Sequence, residues 1–163
     1  MTKITISTLE YPISISIPSP PLLITTFTQV SKPEGYVAGE TVTGAVALNI
    51  APGTHPIDTI GIQLEIKGFE KTYWTETDST NNNGSSGSST NTRYYGGNVD
   101  FFKPVVPLGA GKPGQLGPGQ YQFGFSFQLP PSLPPSLEIQ DGGGDYCCVR
   151  YQLQGRVGKK GML

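Results

Sequence analysis

Two stretches towards the C-terminal end alternate apolar and polar residues without a slip. In GQYQFGFSFQL, Tyr121, Phe123, Phe125, Phe127 and Leu129 share one parity, while Gly124, Ser126 and Gln128 share the other. In VRYQLQGRV, Val149, Tyr151, Leu153 and Val157 oppose Arg150, Gln152, Gln154 and Arg156. Successive side chains of a strand point to opposite faces, so each stretch is a ribbon with one apolar and one wet side. The apolar sides must lie on another apolar layer. The pair therefore predicts the centre of a two-layer antiparallel β-sandwich.

The rest of the chain supports that architecture. Residues 3–9 and 13–17 alternate Ile with Ser or Thr, and 22–30 reads as a further strand after Pro18, Pro20 and Pro21. Residues 41–50 place Val42, Val46, Leu48 and Ile50 on one face; residues 57–69 do the same with Ile60, Ile62, Leu64 and Ile66 and run on past Gly68 into 72–76. A last strand is expected over 99–106. No ten-residue window keeps a helical apolar stripe, so the prediction is all-β, immunoglobulin-like, with eight or nine strands and little or no helix. The 22 glycines and 15 prolines fall between the alternating runs, as turn punctuation does. At 163 residues the chain suits a single domain spanning 1–163.

Three connecting segments stand out. Residues 78–98, DSTNNNGSSGSSTNTRYYGGN, form a polar low-complexity stretch, expected to be a mobile loop that orders on binding. LGAGKPGQLGPG is expected to be flexible. LPPSLPPSL is a stiff crossover between strands of different sheets, its φ angles fixed at Pro130, Pro131, Pro134 and Pro135, with Leu133 and Leu137 pinning it to the core.

Charge and chemistry narrow the function. The net charge is −1 and the basic residues are scattered, which argues against nucleic-acid binding and against direct adhesion to an anionic membrane. The N-terminal MTKITISTLEYPISISIPSPP lacks the apolar run of a signal peptide, and no run approaches the roughly 18 apolar residues of a spanning helix, so a cytoplasmic chain is expected. Cys147 and Cys148 are adjacent and point to opposite faces, which disfavours a bond between them. The sole histidine, His55, lies in a proline-flanked turn, so neither a metal site nor a catalytic pair with a nucleophile is expected. Asp141 and Asp145 bracket a triple-glycine turn without the ligand spacing of a calcium loop. No helix follows the glycines to make a phosphate cradle. No catalytic residue and no cofactor is predicted.

The candidate binding residues are aromatic. Trp74 is either an exposed anchor for a partner or a lid over the sandwich edge. Tyr94 and Tyr95, inside the polar stretch, are either contact residues or the start of a returning strand.

Four segments also carry a resemblance. GYVAGETVTGAVALNI, TIGIQLEIKGFEKTYW, GQYQFGFSFQLPPSLPPSLE and CCVRYQLQGRV, in this order over residues 24–158, resemble the amino-terminal domain of the arrestins. Trp74-Thr75-Glu76 after Gly68 resembles the α-arrestin, or arrestin-domain-containing, branch. The resemblance implies an immunoglobulin-like sandwich, normally one of two in tandem, and a non-enzymatic adaptor. It implies binding to the cytosolic parts of membrane proteins and to trafficking or ubiquitin-ligase machinery, with recruitment to plasma membrane or endosomes only through those partners. A second sandwich is not expected within 1–163. The family's Pro-Pro-x-Tyr ligase motifs have no match, since Pro134-Pro135 is followed by Ser136-Leu137, and Lys3 stands where β-arrestins carry a basic cluster. An open sheet edge left by a missing strand or domain would favour self-association. The alternative reading is a structural or carbohydrate-binding β-sandwich module.

Overall fold

The computed structural model describes residues 3–8, 11–15, 22–81, 88–109 and 114–159. Thirteen strands follow in chain order: β1 (Lys3–Ile4), β2 (Ile6–Thr8), β3 (Tyr11–Ile15), β4 (Leu22–Val30), β5 (Tyr36–Val37), β6 (Thr41–Ile50), β7 (Ile57–Asn81), β8 (Ser88–Phe102), β9 (Val105–Leu108), β10 (Gly114–Leu116), β11 (Gly119–Gln128), β12 (Leu137–Gln140) and β13 (Tyr146–Lys159). The described residues contain no helix.

The strands form two facing sheets and a short clip. One sheet has the order β11-β6-β4-β3, antiparallel throughout. The other is built on β7 and β13, which pair from Tyr73↔Tyr146 to Thr59↔Lys159. The opposite edge of β7 carries β8, β9 and β10 in turn, and the opposite edge of β13 carries β12 and then β2. The β2–β13 pair is the parallel one. β1 pairs with β5 apart from both sheets.

The core lies where the predicted apolar parities meet. Leu64, Ile66, Tyr151 and Leu153 come from one sheet, and Val42, Val46, Leu48, Ile50 and Phe125 from the other; Ile4, Tyr36, Leu108 and Leu129 close its margins. Tyr121, Phe123 and Phe127 pack against this cluster half-buried. At one point the sheets approach so closely that a side chain has no room: a Cβ on Gly155 would stand 2.5 Å from Val46 Cγ1. The segment before β6 is fixed by Glu40, whose carboxylate accepts from the Val37 amide at 2.8 Å and pairs with Lys32 at 3.1 Å. This explains the AGE turn of the sequence.

Several expectations need correction. Residues 78–98 are not a loop: 78–81 continue β7 and 88–98 belong to β8, in register from Asp78↔Asn91 to Asn81↔Ser88. The remainder of that stretch, 82–87, lies outside the described residues. Burial was the wrong criterion there, because two paired strands satisfy each other's backbone groups without needing a core. The expected strand 99–106 is interrupted: β8 ends at Phe102, and β9 resumes after Pro104. Within the segment expected to be flexible, 114–116 form β10 against β7, and 110–113 lie outside the described residues. Leu133 packs against the core as expected, but Leu137 starts β12 and is 45% exposed. Of the early strands, residues 9, 16 and 17 lie outside the described part.

Candidate functional site

β7 and β13 are longer than the sheet that covers them. β11 stops at Gln128, whereas β7 runs on as a hairpin with β8, and β12–β13 run beside it. The face of this sheet that is core further down thus emerges beyond the sandwich.

A bulge marks the transition. Gly68 pairs with Phe102, and Phe69 already pairs with Asp100, so Phe101 is the extra residue. A bulge brings two consecutive side chains towards one face. Phe102 accordingly packs on the core, while the Phe101 ring meets Tyr151 edge-on at 5.8 Å. Only glycine fits at 68, where a Cβ would lie within about 3 Å of Phe101, Phe102 and Tyr151. Asp100 is turned to the other face. There it pairs with Lys67 at 3.0 Å and with Lys103, which together hold its carboxyl below the usual carboxylate range, Lys103 more than Lys67.

Beyond the bulge the emerging face is read from the register. Glu70 lies between Val149 and Val99, Thr72 between Cys147 and Gly97, and Trp74 is paired with Tyr95. Leu137 and Ile139 of β12 extend the same rungs beside Val149 and Cys147. Directly opposed residues share a face, so these side chains form one surface. Trp74, Val99, Leu137 and Ile139 are all exposed on it.

The three predicted contact residues fall on this hairpin. Trp74 and Tyr95 stack at 5.1 Å between centroids and 12° between planes. Tyr94 is on the opposite face and is 70% exposed. The structure therefore joins Trp74 to Tyr95 and separates Tyr94 from both. Trp74 does not lid the sandwich edge, since it remains 42% exposed beyond it.

The two acids read as a plain turn do more than that. Asp141 Oδ1 accepts from the Gly143 and Asp145 amides at 3.0 and 2.9 Å, shaping the β12–β13 turn. Asp145 Oδ1 accepts from the Thr75 amide at 2.8 Å and the Thr75 hydroxyl at 3.1 Å. This clamp ties the turn to the hairpin. Tyr73 and Tyr146 stack alongside on the other face at 5.9 Å.

No catalytic constellation accompanies these features among the described residues. Among the described residues no group of three or more His, Cys, Asp or Glu could hold a metal. A groove of about 1130 Å³ lies between β2 and the β4–β6–β11 sheet, and its lining of residues such as Thr28, Ser31, Thr43, Phe125 and Ser126 contains no ionisable side chain. Cys148 is buried and Cys147 half-buried, both as free thiols. No helix of the described residues is long and apolar enough to cross a membrane.

The described residues form a two-sheet β-sandwich with a projecting hairpin. The family model for the N-terminal domain of arrestin (or S-antigen) matches residues 26–160, and the chain belongs to the arrestin family. It is similar to arrestin domain-containing protein 17 of Caenorhabditis elegans, 33% identical over 122 residues that make up 71% of this chain and 26% of that protein. It is also similar to arrestin domain-containing protein A of Dictyostelium discoideum, 31% identical over 129 residues, 75% of this chain and 21% of that protein. Both relatives carry the name of the branch that Trp74-Thr75-Glu76 resembles. The chain spans about a quarter or less of the length of these relatives.

Proposed function

We propose that this sandwich is the binding module of a non-enzymatic, arrestin-type adaptor that acts in the cytoplasm. It recognises the cytosolic parts of membrane-protein cargo and links them to endocytic sorting, trafficking or ubiquitination. One observation carries the reading: the core face of the β7–β13 sheet continues past its covering sheet and offers an aromatic pair, Trp74 and Tyr95, on a projecting hairpin. Exposed, preorganised aromatics supply contact area at little entropic cost, as interface anchors do. Family membership supports the adaptor role. The ionisable-free groove favours recognition by surface over chemistry in a cleft.

Cargo then brings the protein to plasma membrane or endosomes, and contact with the bilayer is indirect. Trp74 and Tyr95 would be the anchors, with Tyr94 serving a contact on the opposite side of the hairpin. The test is an array of synthetic peptides covering cytosolic segments of membrane proteins, probed with the purified chain and with Trp74→Ala. Saturable binding by a subset of segments that Trp74→Ala weakens by about tenfold or more is expected. An array on which no segment binds refutes the reading.

A further inference from the structure

We propose that the emergent face of the β7–β8–β12–β13 sheet docks a short amphipathic peptide carrying one Arg or Lys amid large apolar side chains, with that cation seated on Glu70. This deepens the adaptor reading and rests on it.

The central observation is an unpartnered carboxylate in an apolar field. Glu70 is flanked directly by Val149 and Val99, with Phe101 at the bulge below and the Trp74–Tyr95 pair two rungs above. The cations nearest along β7 and β13 stand on the opposite parity, and Arg93 of β8, on the same face, lies three rungs further out opposite Glu76. Lys67 pairs there with Asp100, Arg150 with Glu138, and Lys71 lies over the Tyr146 ring. Among the described residues no cation pairs with Glu70. Further out, Glu76 and Arg93 oppose one another across the hairpin, so their charges offset. Asp141 and Asp145 at the neighbouring turn add negative charge to that end.

An occupant that covered this face with apolar groups alone would strip water from Glu70 and leave the charge unpaired, a cost that opposes its binding. A cation placed over it converts that cost into a charge-assisted hydrogen bond. The patch therefore selects against a purely apolar or an acidic ligand and for a basic-apolar one.

Its size points to a peptide. From Glu70 to Trp74 is about 13 Å along the strand, and from β8 to β12 about 14 Å across three strand spacings. A single helix, about 10 Å wide, covers that area. A second copy of the chain meeting it patch to patch would set another Glu70 here, and a stable dimer needs about 800 Å² from each partner, far more than this patch offers.

Trp74 is the only tryptophan, so its emission reports on the patch directly. The experiment titrates the full chain with two synthetic twelve-residue helical peptides. They share one Leu/Phe face and differ in a central Arg or a central Glu. A saturable blue shift of Trp74 emission with the Arg peptide is expected, at an affinity at least tenfold above its Glu twin. Glu70→Lys should reverse the preference, and binding of the Glu twin by that variant shows that it is folded. Equal affinities for the twins, a preference untouched by Glu70→Lys, or no shift with either peptide at 1 mM would overturn the proposal.

The peptide array separates the two readings. Segments that bind wild type and Glu70→Lys equally remove the Glu70 chemistry and leave the adaptor. An empty array beside a charge-selective patch keeps the Glu70 chemistry and removes the adaptor.

Discussion

Replacing Tyr151 with phenylalanine deletes one oxygen atom from the contact between β13 and the proline-rich crossover. The Tyr151 ring is 1% exposed in the core, and its hydroxyl donates to the Pro134 carbonyl at 2.6 Å. That bond fastens the proline-rich crossover onto β13. A neutral hydrogen bond contributes about 0.5–1.5 kcal/mol net, more if its partner is left buried and unpaired. Pro134 itself is exposed, so water can replace the phenol at its carbonyl. Tyr151→Phe should therefore cost about 1 kcal/mol, a fall in Tm of about 2–4 °C for a domain of this size. The same site has a pH signature. Burial pushes the Tyr151 phenol up from 10.0 to about 12. The folded state then holds this proton more tightly than the unfolded state does. The associated stability is fully present below pH 10 and is lost as pH rises from 10 to about 12. Tyr151→Phe has no such proton, so the stability gap between wild type and variant should narrow over that window. Denaturant melts at pH 7, 9, 10 and 11 measure both effects. A variant as stable as wild type at pH 7, or a gap that widens with pH, would refute the account of Tyr151.

Other perturbations have equally definite outcomes. Leu153→Ala, at a fully buried core position, should cost about 2–5 kcal/mol and lower the Tm, measured by calorimetry, by several times the Tyr151→Phe shift. Asp145→Ala removes both bonds to Thr75, and hydrogen exchange should show faster exchange at the Thr75 amide and up the β7–β8 hairpin, with a Tm change within a few degrees. Asp100, held low by Lys103 and then Lys67, contributes stability that is present above the ordinary aspartate range near 3.8 and lost as pH falls through it; Asp100→Asn should flatten this acid limb in melts between pH 2 and 6.

The core was legible because its residues obey a simple period. β4 and β6 coincide with the predicted 22–30 and 41–50, and Val42, Val46, Leu48, Leu64, Ile66, Tyr151 and Leu153 are buried on the predicted faces. The hairpin was not legible by the same rule, since Thr, Ser and Asn occupy positions of both parities and leave no apolar stripe. A different signal was present: Thr and aromatic residues of high strand propensity at 72–77 and again at 90–95, on either side of a Gly/Ser tract. β12 was hidden behind its prolines, although Leu137 and Ile139 alternate with Glu138 and Gln140. Trp74 and the tyrosines were singled out as aromatics in polar surroundings, but sequence alone does not pair Trp74 with Tyr95. That pairing depends on the Gly68 bulge, which shifts the register of β8 by one residue. Glu70 drew no notice for the same reason: its isolation becomes visible once Lys67, Lys71 and Arg150 are seen on the other face.

The parallel pairing of β2 with β13 sets the order in which this molecule can be completed during synthesis. Ile6 joins the sheet opposite Tyr151, and Ser7 donates to the Tyr151 carbonyl at 3.1 Å, across nearly the whole chain. At about 5–20 residues per second, β2 waits roughly 7–30 s on the ribosome for its slot to emerge. Throughout that interval Ile6, buried in the finished sandwich, has no partner strand to lie beside.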